Sequence, residues 1–317
     1  MTSRRHILAG LTAAFIGLGT ALPQASAAET VRIGWLRGPN DITLAKARGS
    51  LEKALAEKGV TVEWSGPFPA AAPAFEALNA GAIDITAGSS TSAVAALAAR
   101  VPLAIFGYQK MAPASEGIVA KPESGIASLR DLKGRKVVVN RGGTGEYLLV
   151  RGLETAGVDV GSVERVYLSP SDSGPSFVQN HVDAWATWDP FLEIAQVTYG
   201  GRVIADGAAI GSDNAVVLVA SRDFADKHRD TLQAVFDVLK SDNAWGVANR
   251  EEAGAIWAKE MGLPAALGPA VGAHNAVPTT PVGEGDIAEI DRIAGWYAAN
   301  RIIPAKPDIA AGTVSLR

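Results

Sequence analysis

The sequence contains two segments that share one pattern of helix end, turn, strand and loop. Residues 77–88 read ALNAGAIDITAG and residues 176–189 read SFVQNHVDAWATWD, so that Asp84 and Asp183 occupy equivalent positions 99 residues apart. The similarity extends upstream, where residues 31–38 match residues 136–143. A repeat of this kind predicts two similar α/β lobes, each a mainly parallel sheet flanked by helices, with a cleft between them.

Residues 1–28 have the features of an export signal. Arg4 and Arg5 precede an apolar stretch over residues 7–22, and residues 25–27 (Ala-Ser-Ala) form the small-x-small pattern of a cleavage site. The paired arginines also resemble a twin-arginine signal, so export by that route and ordinary secretion are both open. The stretch is too short and too rich in Gly, Ala and Thr for a membrane span. We predict a signal peptide over residues 1–28.

The composition excludes several kinds of function. The chain has no cysteine, which excludes thiol catalysis and Cys-ligated metals. Loss of Arg4 and Arg5 leaves 27 basic against 33 acidic residues without a basic run, so no nucleic-acid partner is expected. His181, His228 and His274 lack metal-binding spacing, and no Gly-x-Ser-x-Gly motif occurs. We therefore predict no enzyme, no metal and no cofactor.

The order of strand and helix signals predicts how the chain is divided. We assign residues 29–112 and 221–317 to lobe one and residues 113–220 to lobe two, with the C-terminal tail returning to lobe one. A single helix is predicted over residues 43–58. Two apolar runs, residues 117–120 and 215–220, are interpreted as paired strands where the chain enters and leaves lobe two. Two crossings between the lobes predict a hinge.

Four loops follow the carboxyl ends of predicted strands, which is where open parallel sheets bind ligands. The strongest candidate is residues 140–145 (NRGGTG), which lead into a helix. Gly142 and Gly143 let backbone N–H groups approach an anion, and the helix start supplies unpaired donors. Thr144 either caps the helix or donates its hydroxyl to a ligand, and Asn140 lies at the strand end. The alternative is a tight strand-to-helix turn, and the nucleotide-binding motifs are absent.

Lobe one contributes two loops. Arg37 either neutralises an anion or is solvated, and Asn40 or Asp41 is the expected cap of the next helix. The second loop, residues 88–92 (GSSTS), places four hydroxyls at a helix start, including Ser89, Ser90 and Thr91. One hydroxyl suffices for capping, so the others predict an anion site.

The fourth loop is Trp188-Asp189-Pro190 in lobe two. Asp189 is the expected cap of the helix that begins at Pro190. Trp188 offers an apolar wall at a strand end, where we expect it to contact a ligand, whereas Trp185 is assigned to the core.

At these loops the chain resembles the periplasmic substrate-binding proteins of ABC importers for aliphatic sulfonates, taurine and nitrate. The aliphatic sulfonate binders are the most similar, through residues 147–151 (YLLVR) and the Trp-Asp-Pro loop. The segments that carry the resemblance are residues 31–34 (VRIG), 77–84 (ALNAGAID), 129–140 (LRDLKGRKVVVN), 142–150 (GGTGEYLLV), 182–191 (VDAWATWDPF) and 300–304 (NRIIP).

The resemblance implies a two-lobed, type II periplasmic-binding-protein fold that closes on a small sulfonate-like anion. It implies a periplasmic monomer that delivers this anion to a membrane ABC permease. The residues it assigns to the anion are Ser89, Ser90, Asn140, Gly143, Thr144, Trp188 and Asp189, and the loop analysis adds Arg37, Asn40, Thr91 and Gly142.

Two departures from the family leave the anion open. Trp35 and Leu36 stand where sulfonate binders often have Tyr-Gln, and the loop at Gly88 lacks an acid that those proteins often carry. An alkanesulfonate, taurine, an aromatic sulfonate, nitrate or another oxoanion would fit.

Two other functions are compatible with the same fold. Sulfinate desulfinases and thiamine-precursor enzymes imply Cys or His chemistry that this chain lacks, and a ligand-sensing partner of a receptor is indistinguishable by sequence.

Overall fold

Two separate β-sheets organise the chain, as the repeat predicted. The computed structural model describes residues 29–317, and the signal peptide predicted for residues 1–28 lies outside them. The first sheet has the strand order β11-β4-β10-β3-β1-β2. Its strands are β1 (Glu29–Leu36), β2 (Val60–Phe68), β3 (Ile85–Ser89), β4 (Leu103–Lys110), β10 (Ala215–Ser221) and β11 (Thr280–Pro281).

The second sheet repeats this arrangement with the order β7-β6-β8-β5-β9. Its strands are β5 (Glu116–Ala120), β6 (Lys136–Val139), β7 (Glu164–Tyr167), β8 (Ala184–Trp188) and β9 (Arg202–Asp206). Strands β2, β1 and β3 are parallel, as are β7, β6 and β8, and each set is followed by an antiparallel strand, β10 or β5. The two-lobed α/β fold is thereby confirmed.

Asp84 and Asp183 have the same structural role in the two sheets. The Asp84 carboxylate accepts a bond from the backbone N–H of Arg32 (2.8 Å), and the Asp84 N–H donates to the Arg32 carbonyl (2.7 Å). Asp183 makes the same two bonds with Lys136, at 2.7 and 2.8 Å. Each aspartate therefore fixes the register of two neighbouring strands at the edge opposite the cleft, and the predicted equivalence is confirmed.

The structure corrects the interpretation of residues 117–120 and 215–220 as paired strands. Strand β5 lies between β8 and β9, whereas β10 lies between β3 and β4 in the other sheet. The second crossing between the lobes therefore lies before Ala215, so the predicted lobe-two boundary at residue 220 is also wrong.

The helices pack on both sheets, and the helix predicted over residues 43–58 is divided in two. Gly49 takes a left-handed conformation (φ 65°) that ends one helix and begins the next. The helices are α1 (Asp41–Arg48), α2 (Ser50–Ala56), α3 (Ala71–Asn79), α4 (Ser90–Ala98), α5 (Thr144–Thr155), α6 (Pro170–Val178), α7 (Phe191–Glu193), α8 (Gly207–Ile210), α9 (Arg222–Lys227), α10 (Arg229–Ala248), α11 (Arg250–Met261), α12 (Gly268–Asn275) and α13 (Glu284–Ala299). Across residues 29–317, these helices include none with the length and apolar character of a membrane span.

A hydrophobic cluster extends across both lobes and holds them together. It joins Val94 of α4, Tyr147 of α5 and Tyr297 of α13, and the two tyrosine rings lie 6.1 Å apart. The C-terminal tail packs on the first sheet, where the Val314 N–H donates to the Ile105 carbonyl in β4 (2.9 Å). The ends of β1, β3, β6 and β8 consequently face one another across the cleft.

Candidate functional site

A cavity of about 70 Å³ lies between the lobes, where the four predicted loops meet. This interlobe cavity has room for on the order of five water molecules, and therefore for a small polar group. Seven of the predicted residues line it, namely Arg37, Asn40, Ser89, Asn140, Thr144, Trp188 and Asp189. The other four predicted residues do not line it, namely Ser90, Thr91, Gly142 and Gly143.

The start of α5 is capped by Asn140 rather than by Thr144. The Asn140 Oδ1 accepts a bond from the Gly145 N–H (2.7 Å), and the Gly142 N–H donates to Glu146 Oε2 (2.7 Å). Gly142 adopts φ 64°, the left-handed conformation that glycine tolerates best. The Gly142 N–H therefore donates within the loop. The prediction that Thr144 caps the helix is wrong.

The hydroxyl of Thr144 is positioned to donate into the interlobe cavity. Thr144 is 3% exposed, and its Oγ1 accepts a bond from Asn214 Nδ2 at 3.1 Å. A hydroxyl that accepts this bond retains its proton for another acceptor. Asn214 thereby orients a donor toward the cavity.

The start of α4 presents Ser89 and Ser92 to the same cavity. Ser89 Oγ accepts from the Ser92 N–H (3.1 Å) and donates to Ser92 Oγ (2.9 Å), which leaves the Ser92 proton available. Ser90 turns away, because its Oγ donates to Asn214 Oδ1 (3.1 Å) and accepts from the Ala215 N–H (3.1 Å). Thr91 is completely buried, with its Oγ1 2.8 Å from Ser89 Oγ.

The two helix starts, one from each lobe, approach each other closely. A Cβ atom on Gly143 would lie 3.0 Å from Ser92 Oγ, so a larger residue would push the loop and helix apart. Asn214 bridges the two helices by bonding both Ser90 and Thr144. The first turns of both helices carry backbone N–H groups without intrahelical partners and a partial positive charge. The combined electric field of the two helix starts therefore favours an anion in the cavity between them.

The loop after β1 completes the lobe-one wall. Asn40 is the cap of α1, since its Oδ1 accepts from the Thr43 N–H (3.0 Å), which confirms one of the two predicted caps. Arg37 holds a fixed position because its Nε and Nη2 both donate to the Met261 carbonyl (3.0 and 2.8 Å). Its guanidinium is permanently charged and adds positive potential at the cavity.

Asp189 connects the two lobes and does not cap α7 as predicted. Its Oδ2 accepts from Asn275 Nδ2 (3.0 Å) and lies 3.1 Å from His274 Nδ1, and both partners belong to α12 in lobe one. Among residues 29–317, Asp189 Oδ1 has no hydrogen-bond partner although it is buried. Trp188 lines the cavity and packs edge-to-face on Phe191, with ring centroids 5.9 Å apart.

Three titratable side chains, Asp189, Glu193 and His274, lie together beside the cavity. Burial raises the pKa of Asp189, and the hydrogen bond to Asp189 raises the pKa of His274. Burial and the charge of Asp189 also raise the pKa of Glu193. When His274 is protonated, its charge offsets that of Asp189. The ligand atoms of these three residues lie within 4.8 Å of one another, a donor set that could hold a divalent cation.

Several residues at the site were not singled out by sequence. Ser92 lines the cavity; it belongs to the predicted hydroxyl loop, and its spacing of three residues from Ser89 is a capping signal that could have identified it. Phe191 also lines the cavity. Asn275 also lines it, but α12 carries no sequence pattern that points to a cleft. Asn214 lies between a short helix and a strand and has no detectable signal.

Comparison with known proteins agrees with the predicted family. Residues 54–253 match the family model described as NMT1/THI5 like. An aliphatic sulfonates-binding protein of Escherichia coli (strain K12) is 34% identical over 310 residues, which cover 96% of this chain and 95% of that protein.

Two solved structures show the same architecture. The periplasmic aliphatic sulphonate binding protein SsuA from Escherichia coli has 32% identity and a TM-score of 0.81, covering 92% of this chain and 94% of its own. The alkanesulfonate-binding protein SsuA from Xanthomonas axonopodis pv. citri, bound to MOPS, has 27% identity and a TM-score of 0.84, covering 91% and 99%. This chain therefore belongs to the NMT1/THI5-like family, and it is similar in sequence and structure to aliphatic sulfonate-binding proteins.

Proposed function

We propose that this protein is a periplasmic solute-binding protein that captures a small sulfonate-like anion and delivers it to an ABC permease. The observation that carries the proposal is the convergence of two helix starts, α4 from one lobe and α5 from the other, on the interlobe cavity. The names of the relatives support the class of ligand and the location. We propose a monomer without a cofactor.

The donors at the cavity suit a sulfonate head group. A sulfonate has one charge and three acceptor oxygens, so several N–H and O–H donors can share it without a full ion pair. Thr144 and Ser92 offer hydroxyl protons, and the first turns of α4 and α5 offer backbone N–H groups. Arg37 contributes positive charge at the wall, where the Met261 carbonyl accepts two of its five N–H groups.

The two-lobed construction supports a mechanism of capture by closure. The chain crosses between the lobes twice, and ligand donors come from both sides of the cleft. An anion held by both lobes binds the closed form more tightly than the open form and shifts the population toward closure. A permease that recognises the closed shape then distinguishes loaded from empty protein.

Calorimetric titration of residues 29–317 with methanesulfonate, taurine, nitrate and sulfate tests the proposal. We expect one-to-one binding of at least one sulfonate, accompanied by a smaller radius of gyration in solution scattering. Absence of binding by both sulfonates would refute the proposed ligand class. Binding without a change in radius would refute closure.

A further inference from the structure

Arg141, in the loop after β6, carries a positive charge next to the interlobe cavity without lining it. It directly follows Asn140, which does line the cavity, and its side chain is exposed. Its guanidinium stacks on the ring of Tyr167, with Cζ 3.6 Å from the ring centroid. Other arginines of residues 29–317 form ion pairs, but Arg141 forms none. A guanidinium is always protonated in proteins, so this charge is both permanent and free of a carboxylate partner.

The stacking partner places the charge at the cleft-facing edge of the second sheet. Tyr167 ends β7 and is in register with Val139, which ends β6. The carboxyl ends of parallel strands meet at one edge of a sheet, and this edge also carries Asn140 and Trp188 of the cavity lining. Because neighbouring strands lie about 5 Å apart, the Arg141 charge is on the order of 10 Å from the cavity.

The surroundings of Tyr167 fix the ring and leave the charge of Arg141 uncancelled. The Tyr167 hydroxyl donates to Glu146 Oε1 (2.6 Å), and Arg165 Nη1 donates to the same oxygen (3.0 Å). The charged groups that act on the Tyr167 hydroxyl are Glu146, Arg165 and Arg141. One carboxylate thus faces two guanidinium groups, and this corner of lobe two has a net positive charge.

The protein as a whole has the opposite sign. Residues 29–317 contain 27 basic against 33 acidic residues, so the chain repels an anion at long range. Arg37 lines the cavity from lobe one, and Arg141 lies at the facing edge of lobe two. Positive groups on both sides of a cleft raise the local concentration of an anion and the rate at which it enters.

We propose that Arg141 steers anions into the open cleft and that it favours ligands with a net negative charge over zwitterions. An exposed charge about 10 Å from the site attracts an anion only weakly in water, so it acts on the rate of capture more than on the release of a bound ligand. This inference rests on the proposed function and deepens it, since it names a residue that sets the rate of capture and the ligand charge that this residue favours.

Stopped-flow binding of methanesulfonate, followed by tryptophan fluorescence, tests the inference on wild type and Arg141→Gln. At 0.01 M ionic strength, where charges act over about 30 Å, we expect the association rate of the variant to fall by about two- to fourfold. At 1 M, where this distance is about 3 Å, the two association rates should agree. The dissociation rates should be equal throughout. Taurine, a zwitterion, should associate equally fast with both proteins.

Two further variants control for the side-chain change and for net charge. Arg141→Lys keeps the positive charge and should restore the wild-type association rate. Arg130→Gln removes the same charge from another exposed position of lobe two, before β6, where Arg130 Nε donates to the Ala156 carbonyl (3.4 Å) after the end of α5. This position lies at the edge of the sheet opposite the cleft, so the association rate should be unchanged.

The inference about Arg141 can fail while the proposed function stands. Equal association rates for wild type and Arg141→Gln at low ionic strength would overturn it. A loss that appears in the dissociation rate, or that persists at high ionic strength, would indicate a direct bond to the ligand and would overturn steering as well. If fluorescence does not report binding, the calorimetric affinities should differ by the same factor at low ionic strength and agree at high.

The proposed function can also fail by itself. If methanesulfonate and taurine do not bind, the proposed ligand class is wrong, and the same rates are then measured with nitrate or sulfate, because steering depends on the charge of the ligand alone. If none of these anions binds, both proposals are wrong.

Discussion

The hydroxyl group of Thr144 bonds Asn214 and lies at the interlobe cavity. It accepts a bond from Asn214 Nδ2 at 3.1 Å and is left with one proton at the interlobe cavity. Asn214 also bonds Ser90 and Glu116 Oε2, so the group that orients Thr144 is itself fixed by both lobes. The donor is therefore positioned before any ligand arrives.

Substitution of Thr144 by valine tests this donor. We expect sulfonate affinity to fall by about 1–3 kcal/mol, because a charge-assisted hydrogen bond is lost while the side-chain shape is kept. The measurement is calorimetric titration with methanesulfonate. Thr155→Val, at the exposed end of the same helix, should bind as tightly as wild type. Equal affinity for Thr144→Val and Thr155→Val would remove Thr144 from the binding site.

For single residues, the sequence predicts which loops reach the cavity better than it predicts which side chains line it. The hydroxyl run at residues 89–92 predicts an anion site, yet Ser89 and Ser92 line the cavity while Ser90 and Thr91 do not. The direction of each side chain depends on the exact residue at which strand becomes helix. A shift of one residue rotates a helical side chain by about a quarter turn, a difference that composition does not encode.

Among the elements, α5 lies unusually close to the strand beside it. A Cβ atom on Gly145 would overlap the Ala186 carbonyl oxygen in β8. Because that neighbour is backbone, it cannot move aside as a flexible side chain would. Gly145 thus permits the first turn of α5 to rest directly on the second sheet and fixes where its N–H groups point.

Replacement of Gly145 by alanine should destabilise the protein by about 1–3 kcal/mol, since the helix start must shift away from β8. Urea denaturation followed by circular dichroism measures the change. Gly295→Ala in α13 is the matched control, because no atom lies within 4 Å of the added carbon. That control should gain about 0.5–1 kcal/mol from helix propensity. A destabilised Gly295→Ala or an unaffected Gly145→Ala would contradict this account.

The order of strands and helices was predictable because the sequence contains an internal repeat, so each lobe could be compared with the other. Asp84 and Asp183 mark equivalent strand starts, and their identical backbone bonds explain why this residue type recurs. The placement of β5 and β10 was not predictable. A short apolar run indicates a buried strand but carries no information about which of two sheets it joins.

For the whole molecule, the contact of Asp189 with His274 and Asn275 is a link that closure makes. Asp189 belongs to lobe two and its partners to α12 of lobe one, so opening of the hinge would separate them. The groups that face His274 are Asp189 and Glu193, and the net effect on His274 is a raised pKa. The imidazolium is thus favoured in the closed form.

The sign of the resulting pH dependence follows from this raised pKa. The contribution of His274 to closure is complete below about pH 6.5, its unperturbed pKa, and is lost as the pH rises through the raised pKa. We expect methanesulfonate affinity to weaken by up to about tenfold as the pH rises through this interval, because the closed form then loses the charged partner of Asp189.

Titrations between pH 5.5 and 9 compare wild type with His274→Gln, which keeps a neutral donor but cannot be protonated. The variant should show a flatter profile. His228→Gln, which removes the His228–Glu29 pair outside the cleft, should retain the wild-type profile. Parallel profiles for wild type and His274→Gln would show that His274 does not couple protonation to closure.

The order of strands in the first sheet has a consequence for synthesis of the chain. Strand β10 separates β3 from β4, yet it follows every strand of the second sheet along the sequence. As the polypeptide emerges into the compartment where it folds, the second sheet can form while β3 and β4 still lack the strand that lies between them. Until Ala215–Ser221 emerges, β3 and β4 have open edges that favour aggregation, and a chain that lacks this segment would be the form in greatest need of a chaperone.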